Sequence, residues 1–299
     1  MTLYGAYDTA LLDGAWRLIQ YYEELFTVNR AGSEVMRINQ AAGARAVEVT
    51  NATYTLVKRA VIESRRRCGF NAAIGPLVKL WHIGFEDARV PTDDEITERR
   101  ELINPDNIVL DDANFSVYLS QAGMELDLGG IAKGYIADRI HEFFRAYGYT
   151  SGIINLGGNL LMMGDAPHHS DGKWRVGIRN PLTQTNETIF TITTGASSVV
   201  TSGIAERRLE VDGRSYHHII DPETGRPRDN NIAGVTVLTR ESIDGEIETT
   251  RLFFTGGPLP DYDHVAIFVY KDKSIELVNI SREAVHISNP EFYLSPDIS

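Results

Sequence analysis

Apolar positions at 9–25 fall at helical spacing (Ala10, Leu11, Ala15, Leu18, Ile19, Tyr22 and Leu25) and predict an amphipathic helix. FTVNRAGSEVMRIN (26–39) reads as a loop entering a short helix, with Ser33 as its N-cap. The helical period returns over 51–67 through Leu56, Val57, Ala60, Val61 and Ile62. GFNAAIGPLVKLWHIGF (69–85) is apolar and glycine-punctuated, with Pro76 suited to a helix's first turn. The charged stretch 86–107, with Pro91 and Pro105, predicts a surface excursion carrying one helix.

From residue 108 the alternation shortens to the strand period. IVLDD and SVYLSQAG predict a hairpin, and MELDL a strand leading into a helix at about 131–147. SGIINLGGNLLMMG (151–164) gives a strand, a Gly-Gly turn and a second strand. WRVGIRNP, TIFTITTGASSVVTSG and GVTVLTR alternate as strands, 242–255 reads as a helix, and HVAIFVYKDKSIELVNIS as a final hairpin. Helices and strands mix without a regular βαβ beat, so the expected class is α+β, with mixed sheets and packed helices.

Composition narrows the function classes. Lys plus Arg is 29 against 41 Asp plus Glu, a formal charge of −12, which argues against nucleic acid and anionic membrane surfaces. The run Arg65-Arg66-Arg67 reads as a solvated helix end. Cys68 is the only cysteine, so neither a disulfide framework nor a cysteine metal cluster is expected. No apolar run reaches the ~18 residues of a membrane span. The N-terminus lacks a basic region before an apolar core and lacks a lipobox cysteine, so the chain is expected to be cytoplasmic, or extracytoplasmic if a leader was trimmed.

The strongest chemical signal is ELDLGGIAKG (125–134). Asp127 ends an apolar stretch, Gly129 and Gly130 follow, and Lys133 sits in the first turn of a helix. Paired glycines admit close backbone approach, and a helix N-terminus attracts anions, so a phosphate-bearing ligand fits. The stretch is neither a Walker A loop nor a dinucleotide fingerprint, and a bare strand–turn–helix junction would also look like this.

Four other clusters stand out. Asn155, Gly157, Gly158 and Asn159 form a polar turn between apolar strands. Thr201-Ser202-Gly203 lacks a nucleophile elbow, so its hydroxyls suit hydrogen bonding to a phosphate or hydroxyl. His217 and His218 point opposite ways if on a strand, so at most one faces a given site. Glu246 and Thr250 share a helix face and supply hard oxygen donors of the kind Mg²⁺ takes, although an acidic helix start alone would explain the carboxylate.

In order, ELDLGGIAKGYIAD, INLGGN, WRVGIRNP, VVTSGIAERR, YHHIIDPETGRP and the acidic-threonine helix resemble the ApbE family of flavin transferases. GPLVKLWHIGF and VNRAGSEVMRIN extend the resemblance over about residues 20–270. It implies a T-fold-related architecture and one domain over 1–299, built as a single body or as two lobes with the FAD site between them. It also implies a Mg²⁺-dependent reaction that splits FAD and attaches FMN to a threonine of a target protein, releasing AMP. The acceptor would carry a Ser/Thr-Gly-Ala-Ser/Thr-type motif.

Carried over by position, Asp127 and Lys133 resemble FAD contacts, and Leu80, Trp81 and His82 the lining of the flavin or adenine pocket. Asn29 falls at a flavin-facing position, Tyr4 at an N-terminal contact, and Thr201, Ser202, Gly203 and Ile219 among the cofactor-binding residues. His218 and Asp221 match a His-x-x-Asp-Pro motif near the diphosphate and are the catalytic candidates. The metal set would be the Gly130 carbonyl, Glu246, Thr249 and Thr250. Here Glu246 stands where the family has aspartate, and Asp244 is the alternative ligand. An FAD pyrophosphatase and a non-catalytic FAD carrier are the competing functions.

Overall fold

The computed structural model describes residues 1–5 and 8–296. The chain divides into two compact units, one of Met1–Ile19, Lys133–Glu206 and Asn230–Ser299, the other of Gln20–Ala132 and Arg207–Asp229.

The first unit is built on an eight-stranded sheet. Its order is Thr2–Leu3, Gly152–Leu156, Asn159–Met163, Ser198–Gly203, Ile232–Thr239, Val265–Tyr270, Ser274–Val278 and Tyr293–Leu294. Neighbours are antiparallel except the last pair, which is parallel. Ile232–Thr239 is buried along its whole length, so IAGVTVLT runs apolar with only Thr236 and Thr239 interrupting. The helix Ser242–Thr255 packs on this strand and on Ser198–Gly203. Gly245 makes that approach possible, because a Cβ there would lie 2.6 Å from Val200 Cγ2. A smaller sheet of Val285–Ile287, Thr188–Thr194 and Trp174–Arg179 closes the core around Trp174, Phe190, Ile192, Val199, Ile267 and Phe292.

In the second unit Ser116–Leu119 pairs antiparallel with both Val47–Glu48 and Ile108–Asp111. The helices Glu34–Gln40, Asn51–Arg65, Gly75–Trp81 and Asp93–Arg100 form where the spacing predicts. Their starts are chemically fixed: Ser33 accepts the Met36 N–H, Thr50 that of Thr53, and Thr92 with Glu95 makes a capping box. Leu77, Trp81, Ile83, Ile96, Ile103 and Ile220 form one of its apolar clusters.

Three expectations differ from the structure. MELDL is not a ladder strand; its only bridge joins Glu125 to Ile74. The Asn39 side-chain amide serves Leu126 instead, accepting its N–H at 2.7 Å and donating to its C=O at 3.0 Å, and the Asp127 N–H goes to Ala72. The hairpin at the end of the sequence is followed by two further short strands, Val285–Ile287 and Tyr293–Leu294, too short to show a period. Arg208–Val211 and Arg214–His217 form a further hairpin whose Asp212-Gly213 turn has φ of 50° and 75°, the chemistry of a tight hairpin turn.

Candidate active site

In the strand-rich unit, two helices exchange caps. The helix Ser242–Thr255 has no side-chain cap of its own. Asp138, from the helix Ala132–Ala146, accepts the Ser242 and Ile243 N–H groups at 2.7 and 3.0 Å. In return Glu246 accepts the Gly134 N–H at 2.8 Å. Glycine at 134 is required by this contact, since a Cβ would meet Ser242 O at 2.6 Å. Each buried carboxylate thus compensates the positive end of the other helix.

The surroundings are polar, with Asn159, Ser198, Ser242 and Thr249 buried and Lys133 partly exposed. Ser242 Oγ donates to Asn159 Oδ1 at 2.6 Å and accepts from Ser198 Oγ at 3.0 Å. Lys133 Nζ lies 3.8 Å from Glu246 Oε1. Burial dominates both carboxylates: it pushes Glu246 up to about 7 and Asp138 up to about 6, against the lowering effect of Lys133 on Glu246 and of the backbone N–H groups on both. Thr249 and Thr250 both donate to the Glu246 carbonyl, at 3.1 and 3.0 Å, and Ser202 Oγ donates to Thr249 Oγ1 at 2.8 Å. Thr201 Oγ1 pairs with Thr236 Oγ1 at 2.8 Å, while Gly203 lies at the strand's end. Tyr4 packs on Trp174 and His168 beside the core. Asp244 sits in the first turn of its helix.

A divalent cation is a chemical match for this donor set. Glu246 and Thr250 are hard oxygen donors, and burial raises the Glu246 carboxyl despite the opposing charge of Lys133. Gly130 belongs to the other unit, where it is exposed. Among the described residues no group of three or more His, Cys, Asp or Glu is placed to hold a metal, so the ligands would be mainly hydroxyl and carbonyl oxygens.

The second unit holds the remaining candidates. Asp127 accepts the Gly129 N–H at 2.7 Å, and burial raises its carboxyl, with Arg207 pulling the other way. Trp81 is fully buried, its indole donating to Gly225 O at 2.8 Å, so its side chain presents no surface to a ligand within this unit. Leu80 and His82 are half-buried beside it. His82 adopts φ 48° at the helix C-cap, stacks on Phe85 at 4.1 Å and contacts Asp87 Oδ1 at 2.5 Å. Asn29 is exposed in the loop before Glu34–Gln40.

The strand Arg214–His217 ends at His217, so strand alternation does not govern His218. His217 is buried, with Nε2 donating to Arg228 O at 2.8 Å and Nδ1 accepting from Ile219 N–H at 3.3 Å. His218 and Ile219 are half-buried. Both Asp221 oxygens are engaged in their own turn, Oδ1 by the Glu223 N–H and Oδ2 by Arg228, each at 2.8 Å. Sequence reasoning missed Asp138; its signal was a carboxylate four residues after Gly134, and so on the same helix face.

The helices Ala132–Ala146 and Ser242–Thr255, exchanging buried carboxylate caps beside Lys133, frame the candidate site of the strand-rich unit. The ApbE family model matches residues 1–259. An FAD:protein FMN transferase of Klebsiella pneumoniae (strain 342) is 44% identical over 93% of this chain and 87% of its own. The crystal structure of an ApbE protein from Thermotoga maritima superposes with TM-score 0.82 at 28% identity, over 90% of this chain and 89% of that one. The flavin transferase ApbE from Vibrio cholerae gives 0.75 at 27% identity, covering 89% and 86%. The chain belongs to the ApbE family and is a transferase.

Proposed function

We propose that this chain is a Mg²⁺-dependent FAD:protein FMN transferase. A threonine hydroxyl of an acceptor protein attacks the FMN phosphorus of FAD; the new Oγ–P bond forms as the bond to the bridging oxygen breaks, and AMP leaves. Glu246 carries the proposal: a buried carboxylate raised to about 7, one helical turn from Thr250, is a hard oxygen donor whose ionised form a bound cation would stabilise. Glu246, Thr249, Thr250 and the Gly130 carbonyl would hold Mg²⁺, with Asp244 as the alternative to Glu246; when bound, the ion neutralises charge on the diphosphate and the departing AMP.

The chain's own residues take the other tasks. Lys133, in the first helical turn, adds positive charge where that helix already favours an anion. Asp127, held by the Gly129 N–H, and half-buried Leu80, His82 and Ile219 bind and orient the dinucleotide. Because Asp221 has both oxygens in its turn, His218 is the group assigned to take the threonine proton. The relatives named FAD:protein FMN transferase support the reaction proposed, transfer of FMN from FAD to a protein.

Incubation with FAD and Mg²⁺, with and without a threonine-bearing acceptor peptide, tests it. AMP formed only with acceptor is the expected result. AMP formed equally without acceptor makes the protein a pyrophosphatase, and FAD recovered intact makes it a carrier.

A further inference from the structure

The strand Ser198–Gly203 loses one neighbour partway along its length. Against Asn159–Met163, Leu160 faces Val199 and Leu161 faces Ser198. Continued, that register would set Gly158 opposite Thr201, but the chain turns back at Gly157 and Gly158, with φ of 62° and 96°, into Gly152–Leu156. On its other side the strand stays paired to the end, Gly203 facing Gly234. The last residues of Ser198–Gly203 therefore form a short open edge in the interior of the sheet.

Strand alternation says which backbone groups face that edge. In an antiparallel strand, the N–H and C=O of one residue point to the same side, and successive residues alternate. The Ile204 N–H donates to Ala233 O, toward Ile232–Thr239, whereas Ser197 O accepts from Met162 N–H on the opposite side. Thr201 and Gly203 share the phase of Ser197, so their N–H and C=O groups point where Asn159–Met163 has ended. A cleft of about 350 Å³ lies there, and Thr201 and Gly203 line it while Ser202 does not. Gly157, Gly158, Arg179 and Asn180 form part of its wall.

Resting on the proposed transfer reaction, and in place of the cofactor contact that the resemblance implies for Thr201–Gly203, we infer that the acceptor polypeptide docks in this cleft as an added β-strand along Thr201–Gly203. The chemistry of the edge suits such a partner: alternate backbone donors and acceptors match those of another extended backbone. The volume lies at the low end of the ~300–1,000 Å³ typical of small-molecule pockets, which suits a few small residues better than a whole dinucleotide. Glycine walls leave room for a main chain to approach. The strand's intervening residue, Ser202, donates to Thr249 on the helix that carries Glu246 and Thr250. A peptide on this edge thus runs beside the strand that contacts the proposed donor helix, where its hydroxyl is needed.

The test uses a short fluorescent peptide carrying Ser-Gly-Ala-Val, whose valine blocks flavin transfer, and reads binding by anisotropy. On the unaltered protein, N-methylation of every second peptide residue is expected to weaken binding about threefold to tenfold per lost hydrogen bond, and methylation of the residues between to change little. Thr183→Trp on the exposed rim and Ala205→Trp within the cleft are each expected to weaken peptide binding about tenfold while leaving FAD binding unchanged. Uniform tolerance of N-methylation, or wild-type peptide affinity in both tryptophan variants, would overturn the docking edge. A parallel assay with the threonine peptide reports separately on the reaction: a peptide that binds with the alternating pattern but acquires no FMN supports the edge and removes the transferase reading.

Discussion

Glu246 is the residue on which chemistry and stability meet. Its carboxyl rises from 4.5 to about 7 and that of Asp138 from 3.8 to about 6, burial being the main cause of each. Between about pH 4.5 and 7 the folded chain therefore holds protons that the unfolded chain has released, so these groups make metal-free stability fall as pH rises through that window. Glu246→Gln keeps an acceptor for the Gly134 N–H and removes the buried charge. In chelator-treated protein it is expected to raise stability at pH 8 by about 1–3 kcal/mol and to change little at pH 4.5. Urea melts at the two pH values check this, and a variant equally destabilised at both would refute it. His218 belongs to the same scale: His218→Ala is expected to lower kcat for FMN transfer about a hundredfold or more, with KM for FAD nearly unchanged. Full transfer by that variant would remove His218 from the proton's path.

At the scale of elements, the reciprocal capping of Ala132–Ala146 and Ser242–Thr255 makes the position of the oxygen donors depend on a residue outside them. Asp138→Ala would leave the Ser242 and Ile243 N–H groups buried without their acceptor. A loss of about 2–4 kcal/mol is expected, together with weaker Mg²⁺ activation, measured as the ion concentration giving half-maximal transfer. A stability loss with unchanged Mg²⁺ dependence would confine Asp138 to a structural role. Asp138→Asn should retain part of both properties, because its amide oxygen still accepts one of the two bonds.

Across the molecule, the sequence was legible where one period dominated. The long helices and the alternating strands from 108 onward follow directly from their apolar spacing, and the cap at Ser33 locates one helix start. What escaped depends on contacts between distant residues. Asn39 replaces a strand partner for Leu126 from 87 positions away, and Asp138 caps a helix 104 positions later. Trp81 has the composition of a pocket residue, yet its indole serves Gly225 in the core. Glu246 was legible as an oxygen donor, but its burial and its bond to Gly134 required the fold. That no helix among the described residues is long and apolar enough to cross a membrane agrees with the absence of an apolar run in the sequence.

The most direct measurement is the mass of a threonine-bearing acceptor peptide after incubation with the protein, FAD and Mg²⁺, with AMP quantified in the same sample. The expected result is a peptide gaining one FMN less one water, localised to the threonine, and one AMP for each peptide modified. A peptide of unchanged mass beside intact FAD, or AMP accumulating with free FMN and no modified peptide, would contradict it.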